Sequence, residues 1–154
     1  MAWFSYFLLS VPEAFLLLAV TFVLFGISIK EKLKSIILFA FLWGGVTFTL
    51  SVIVINYNSL KPLITITFFA LLVKFLFRFK LVHGFILSVI GFIMLILFEI
   101  IFLLPLIQVI PFEQIAASPW LRILAGVLTI HLPLLLTWFI LQKFNLKIKM
   151  PLLR

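Results

Sequence analysis

An all-α, polytopic membrane protein is the fold class this sequence predicts: a bundle of five transmembrane helices, with the N-terminus outside and the C-terminus cytoplasmic. Three observations lead there. Of the 154 residues 66% are hydrophobic and 10% charged, with a mean hydropathy of +1.44, which excludes a soluble globule and fits one integral membrane domain. The apolar runs approach the roughly 20 helical residues that a hydrocarbon core about 30 Å thick requires, and they lack the alternation of a barrel strand. Lysine and arginine gather in alternate connections, which is a pattern of orientation rather than of nucleic-acid binding.

Residues 2–9, AWFSYFLL, are aromatic and too short to span, so a segment lying at the interface is expected, with Trp3 and Tyr6 keeping their polar atoms wet. With no basic n-region and no small-residue cleavage site, this start is not expected to be a cleaved signal peptide. Ser10 and Glu13 have the spacing of a capping box, and Pro12 is tolerated in a first helical turn. The first span is predicted over residues 11–29. Glu13 is then either a helix-capping carboxylate near the membrane surface or a binding group.

Lys30, Lys32 and Lys34 make a tight basic loop before the second span, residues 35–55. Ala40, Gly44, Thr47 and Ser51 share a narrow face of that helix, the pattern of a packing seam. Trp43 lies near its middle, as packing or as the wall of a pocket. A short polar loop leads to the third span, residues 62–77, and Arg78 and Lys80 follow it.

The fourth span, residues 81–104, is the most apolar, and a single carboxylate, Glu99, lies inside it. His83, near its start, is expected at headgroup level. On a 100° helical wheel Gly84, Ser88, Gly91 and Glu99 fall within roughly an 80° arc, so that face should turn toward the bundle. An ionised carboxylate at such depth costs about 2.5–3.5 kcal/mol even on insertion scales, so it must be hidden, paired or neutralised. Interhelical glue and a ligand or switch role both remain open for Glu99.

After the fourth span comes the longest break. A surface helix is expected over residues 111–117, and Ser118-Pro119 restarts a helix with serine as N-cap and proline at the first helical position. The fifth span is predicted over residues 119–141, and residues 142–154 form a basic cytoplasmic tail. Ten of the twelve basic residues fall on one side of this arrangement, leaving Lys61 and Arg122 opposite. The positive-inside rule makes the ten cytoplasmic.

With that orientation Glu13, Glu99 and Arg122 all lie in the outer half. They are the ligand or charge-network candidates, and one of the two carboxylates is expected to approach Arg122 at a polar cavity. His131 points roughly 180° from Arg122 on the same helix, so a neighbouring helix is its expected hydrogen-bond partner. His131, Trp43 and Trp120 are the secondary candidates. Catalysis finds no support. Without cysteine or aspartate there is no Ser-His-Asp triad or Cys-His pair, the two histidines lack metal-site spacing, and no glycine-rich phosphate loop occurs. No catalytic residue, metal or cofactor is expected.

The segments F-x-x-S-x-P-E-A-F (Phe7 to Phe15), F-R-F-K (Phe77 to Lys80), L-F-E (Leu97 to Glu99) and S-P-W-L-R-I-L-x-G (Ser118 to Gly126) carry a resemblance. Together with the five spans, the chain resembles the N-terminal membrane region of Bacillota sensor histidine kinases of the GHKL type, found in Agr-like and sporulation-like signalling. The resemblance implies that the outer half senses a signal and that the last helix passes the change to a cytoplasmic region. No phosphorylatable-histidine helix or nucleotide-binding motif accompanies it in these residues, so the sensing region without the kinase is expected. The expected function is a non-enzymatic sensor or accessory module in the bacterial cell (inner) membrane. Its partners would be the lipid bilayer and a cytoplasmic or membrane signalling protein, with homodimerisation allowed and no nucleic acid. A small transporter subunit or substrate-binding component is the alternative, and a structural or assembly subunit a further one.

Overall fold

The computed structural model describes residues 2–53 and 59–148. Among them the chain is all-helical, and five helices are long and apolar enough to cross a membrane. These are α1 (Trp3–Leu24), α2 (Lys30–Ile53), α3 (Leu60–Phe77), α4 (Leu81–Val109) and, after the short α5 (Phe112–Ala117), α6 (Pro119–Phe144). The end of the second expected span, the first half of the loop after it and residues 149–154 of the tail lie outside the described residues.

α1 is the hub. It packs against α2, α4 and α6, while α3 joins α2 to α4, so α1 to α4 close a ring with α6 laid along α1. Its inner side, including Ala14, Leu17, Leu18, Val20 and Phe22, is fully buried. Leucine, isoleucine and phenylalanine cover the outside of the bundle, as at Leu63, Phe75, Ile101 and Phe139. An apolar exterior over the whole girth is what a helix bundle solvated by lipid needs.

Small residues set the close crossings. A Cβ at Gly84 would stand 2.6 Å from the carbonyl oxygen of Ala70, so α4 rests directly on the α3 backbone. A Cβ at Gly44 would stand 3.0 Å from the carbonyl of Ser10, which fixes α1 against α2. Gly84, Ser88 and Gly91 are all buried on one face of α4. The α3–α4 turn is only three residues long, opened by Arg78 in the left-handed conformation at φ 57. That tight turn draws the first residues of α4 onto α3, and His83 is buried there.

Three elements differ from expectation, and backbone geometry explains each. Residues 2–9 do not lie as a separate surface segment. They continue α1 through a π-helical turn, Tyr6–Ser10, in which Ser10 is helical and makes no side-chain cap, so the capping box does not form. Tyr6 instead donates its hydroxyl to the carbonyl of Phe41 at 2.9 Å, tying this end of α1 to α2. α4 runs through Pro105 to Val109 by way of a second π-helical turn, Glu99–Leu103. The wider turn accommodates a proline whose missing N–H and bulky ring would strain a regular α-helix. α6 carries a third, Val127–His131, just before Pro133. Its start is capped by Ser118, which accepts from the Leu121 N–H at 3.5 Å.

Candidate functional site

Polar side chains from four helices meet at one end of the bundle, opposite the lysine-rich connections. Glu13 stands in α1 three residues after its π-helical turn, and Glu99 opens the π-helical turn of α4. Lys61 and Thr65 lie four residues apart on α3 and share a face, as do Thr47 and Ser51 on α2. These six side chains, with Ser10, line a cavity of about 760 Å³. Trp43 and Thr65 form part of its floor, and Phe92, Leu95, Ile96 and Ile130 supply apolar wall.

Four helices thus deliver charge or hydroxyls to one space. Glu13 is within Coulombic reach of both Glu99 and Lys61. Lys61 donates from Nζ to Ser51 Oγ at 2.9 Å, which bridges α3 to α2. The hydroxyls are partly committed to their own helices. Thr47 Oγ1 donates to the Gly44 carbonyl at 3.0 Å, Ser51 Oγ to the Thr47 carbonyl at 2.8 Å, and Thr65 Oγ1 to the Lys61 and Pro62 carbonyls at 2.9 Å. Their lone pairs remain available as acceptors. The arrangement therefore offers two carboxylates, one ammonium and several hydroxyl acceptors beside an apolar wall.

Below the cavity the bundle is closed by aromatics. Trp43, 3% exposed, donates its indole N–H to the Thr65 carbonyl at 3.4 Å and stacks on Phe39 with ring centroids 6.2 Å apart. Phe69 meets both rings edge-on, at 4.8 Å from Phe39 and 5.7 Å from Trp43. Toward the lysine-rich end Phe22, Phe77 and Phe79 pack together, with Lys32 Nζ 4.6 Å above the Phe79 ring.

The sequence candidates separate into three groups. Glu13, Glu99 and Trp43 come together at the cavity. Arg122 does not join them, which corrects the expected carboxylate–arginine pair. Its side chain is exposed, and Nη2 donates to the carbonyl of Ala116 at 2.6 Å. The cause is local: Arg122 stands one turn into α6, beside the last turn of α5, where carbonyls lack helical partners and a cation is favourable. Trp120, 61% exposed, is likewise off the cavity. His131 bonds across helices, with Nε2 3.1 Å from the Leu9 carbonyl. That bond joins the π-helical turn of α6 to the one in α1, and the α6 turn also packs on the α4 turn that holds Glu99.

Lys61 and Thr65 are polar cavity residues that the sequence reading does not single out. Lys61 falls in the polar loop expected before residue 62, whereas it stands in the first turn of α3. Its i, i+4 relation to Thr65 was the available signal. Among the described residues no group of three or more metal-ligating side chains occurs. No family model, no curated protein and no solved structure matches this chain, so the functional reading rests on the cavity and its surroundings.

Proposed function

We propose that the chain is a non-enzymatic sensor or accessory module of the bacterial cell membrane, with the cavity open toward the outer side and the lysine-rich end in the cytoplasm. The observation that carries this reading is the gathering of two carboxylates and an ammonium at the end opposite the lysine-rich connections. Glu13, Glu99 and Lys61 share a single cavity, and the Trp43–Phe39–Phe69 cluster lies between it and the other end. A transporter needs polar groups through the full thickness of the bilayer, and the aromatic floor weighs against that. The ligand class that suits two carboxylates facing an ammonium is a small molecule or peptide end with an amine and an acceptor of hydrogen bonds.

In this reading a ligand touching Glu99 acts on the π-helical turn that begins there. That turn abuts the matching turn of α6, and α6 runs to the lysine-rich end, where a cytoplasmic partner would register its displacement. Turns of this kind are positions where a helix can change register at low cost, which makes them suitable joints.

The chain has no cysteine, so single-cysteine variants give a clean test. Ser51→Cys should react with a membrane-impermeant maleimide added to intact cells, and Ser28→Cys only after permeabilisation. The reverse pattern would remove the orientation and with it the sensor. In cells, a Glu13→Gln/Glu99→Gln variant at normal abundance should reproduce the transcriptional response of a deletion strain. Loss of solute uptake with unchanged transcription would instead favour the transporter.

A further inference from the structure

The lysine-rich end holds a second cavity, distinct from the one assigned above. It forms because the chain folds back after α6. Asn145 ends that helix in the left-handed conformation at φ 51, and Ile148 then donates its N–H to the carbonyl of Leu24 at 2.6 Å. On the other side Gly26, at φ +71, turns the chain out of α1, and a Cβ there would meet Lys147 Cδ at 3.3 Å. Between the two returns lies a cavity of about 450 Å³.

Its lining is chemically one-sided. Lys30 and Lys147 supply two ammonium groups, Gln142 and Asn145 two amides, and Ser28 a hydroxyl, and among the described residues no carboxylate lines it. Glu31, the acidic neighbour in sequence, is exposed outside the lining. Three backbone carbonyls around it are already engaged: Leu24 with Ile148, Leu141 with Leu146, and Gln142 with Asn145. Val23, Ile27 and Leu141 continue the lining with apolar surface. A pocket of donors at the end of membrane-spanning helices, with an oily wall below it, suits a phosphate whose chains run alongside the protein.

We propose that this cavity is a phosphate-binding site, occupied by the headgroup of an anionic phospholipid held between Lys30 and Lys147. Occupancy joins the connection after α1 to the tail after α6, and so stabilises the folded-back position of residues 146–148. The site rests on neither the sensing role nor the ligand of the other cavity.

The test uses the full chain in nanodiscs and native mass spectrometry. From discs of mixed phosphatidylglycerol and phosphatidylcholine, the protein should retain phosphatidylglycerol with about tenfold preference, as two lysines near a headgroup imply. Lys30→Gln/Lys147→Gln should bring that preference to near one. Lys34→Gln/Lys143→Gln, which removes equal charge outside the lining, should keep it. A second arm adds inorganic phosphate to discs of phosphatidylcholine alone and follows thermal unfolding. A phosphate-dependent rise that Lys30→Gln/Lys147→Gln abolishes supports the site, and with no lipid preference in the first arm it identifies a soluble phosphate as occupant. The proposal is overturned if the control pair loses the preference as completely as the cavity pair. It is also overturned if neither lipid preference nor phosphate response occurs.

Discussion

A methyl group added at Gly84 would stand 2.6 Å from the carbonyl oxygen of Ala70, a backbone atom that cannot rotate away. Gly84→Ala should therefore push α4 off α3 and cost about 1–3 kcal/mol, the usual range for overpacking. Gly45→Ala is the matched control, since its added carbon would meet only the Tyr6 ring at ordinary distance, 3.7 Å from the hydroxyl oxygen. Reversible unfolding in mixed micelles should show a large shift for the first and almost none for the second. Lys61 presents the electrostatic counterpart. Lys61→Met leaves Glu13 and Glu99 sharing the cavity without a cation, and an unpaired charge in such a place is costly. We expect a loss of about 1–2 kcal/mol, with Lys61→Met/Glu13→Gln recovering at least half, because like charges then no longer face each other. Equal losses in the single and double variants would show that the three groups do not interact. The carboxylates were legible in the sequence because acids buried in apolar runs stand out by cost alone. Their cation was not, because burial cost says nothing about which of two nearby bases turns inward. Arg122 found the loose carbonyl end of α5, and Lys61 was left to face the cavity.

The number of helices long and apolar enough to cross a membrane was legible from length and hydropathy. Their ends did not follow. Rules for helix starts come from water, where Ser10 and Glu13 gain by capping a first turn. In this bundle the aromatic residues before them gain more by continuing α1 as a π-helical turn and packing on α2. A wide turn also leaves backbone carbonyls in poorer geometry, and at Leu9 one of these is met by His131 Nε2. This element-to-element bond should be worth about 0.5–2 kcal/mol, the range for interhelical hydrogen bonds in membranes. His131→Leu should lower stability by that amount and loosen α6 from the N-terminal part of α1. His131→Gln, which can still donate to the carbonyl, should restore part of it. Cysteine pairs placed across α1 and α6 would report the loosening as slower cross-linking. Identical cross-linking in the two variants would show that the histidine packs without binding.

At the scale of the molecule the contacts divide the bundle into a ring and an attachment. α1 to α4 each touch two ring neighbours, whereas α6 packs chiefly along α1 and reaches α4 only through its π-helical turn. The ring also contains the full polar cavity apart from Ile130, and all of the aromatic floor. α6 in turn is tied to α1 at its middle, by His131 to Leu9, and just past its C-terminal end, by Ile148 to Leu24. A helix fixed at these two levels to a closed ring is placed to carry displacement from one to the other. The same architecture makes it separable, because helices inserted independently associate by packing and need no continuous chain. Residues 1–110 and 111–154, expressed together as separate polypeptides, should therefore copurify as a complex. The longer fragment alone should keep its helicity by circular dichroism and remain sensitive to Gly84→Ala, since that contact lies wholly within the ring. If the longer fragment aggregates alone and recovers only with the shorter, α6 is part of the core that holds α1 to α4 together. It would then have no freedom to move against them, and coupling through α6 would have to be abandoned in favour of motion within the ring.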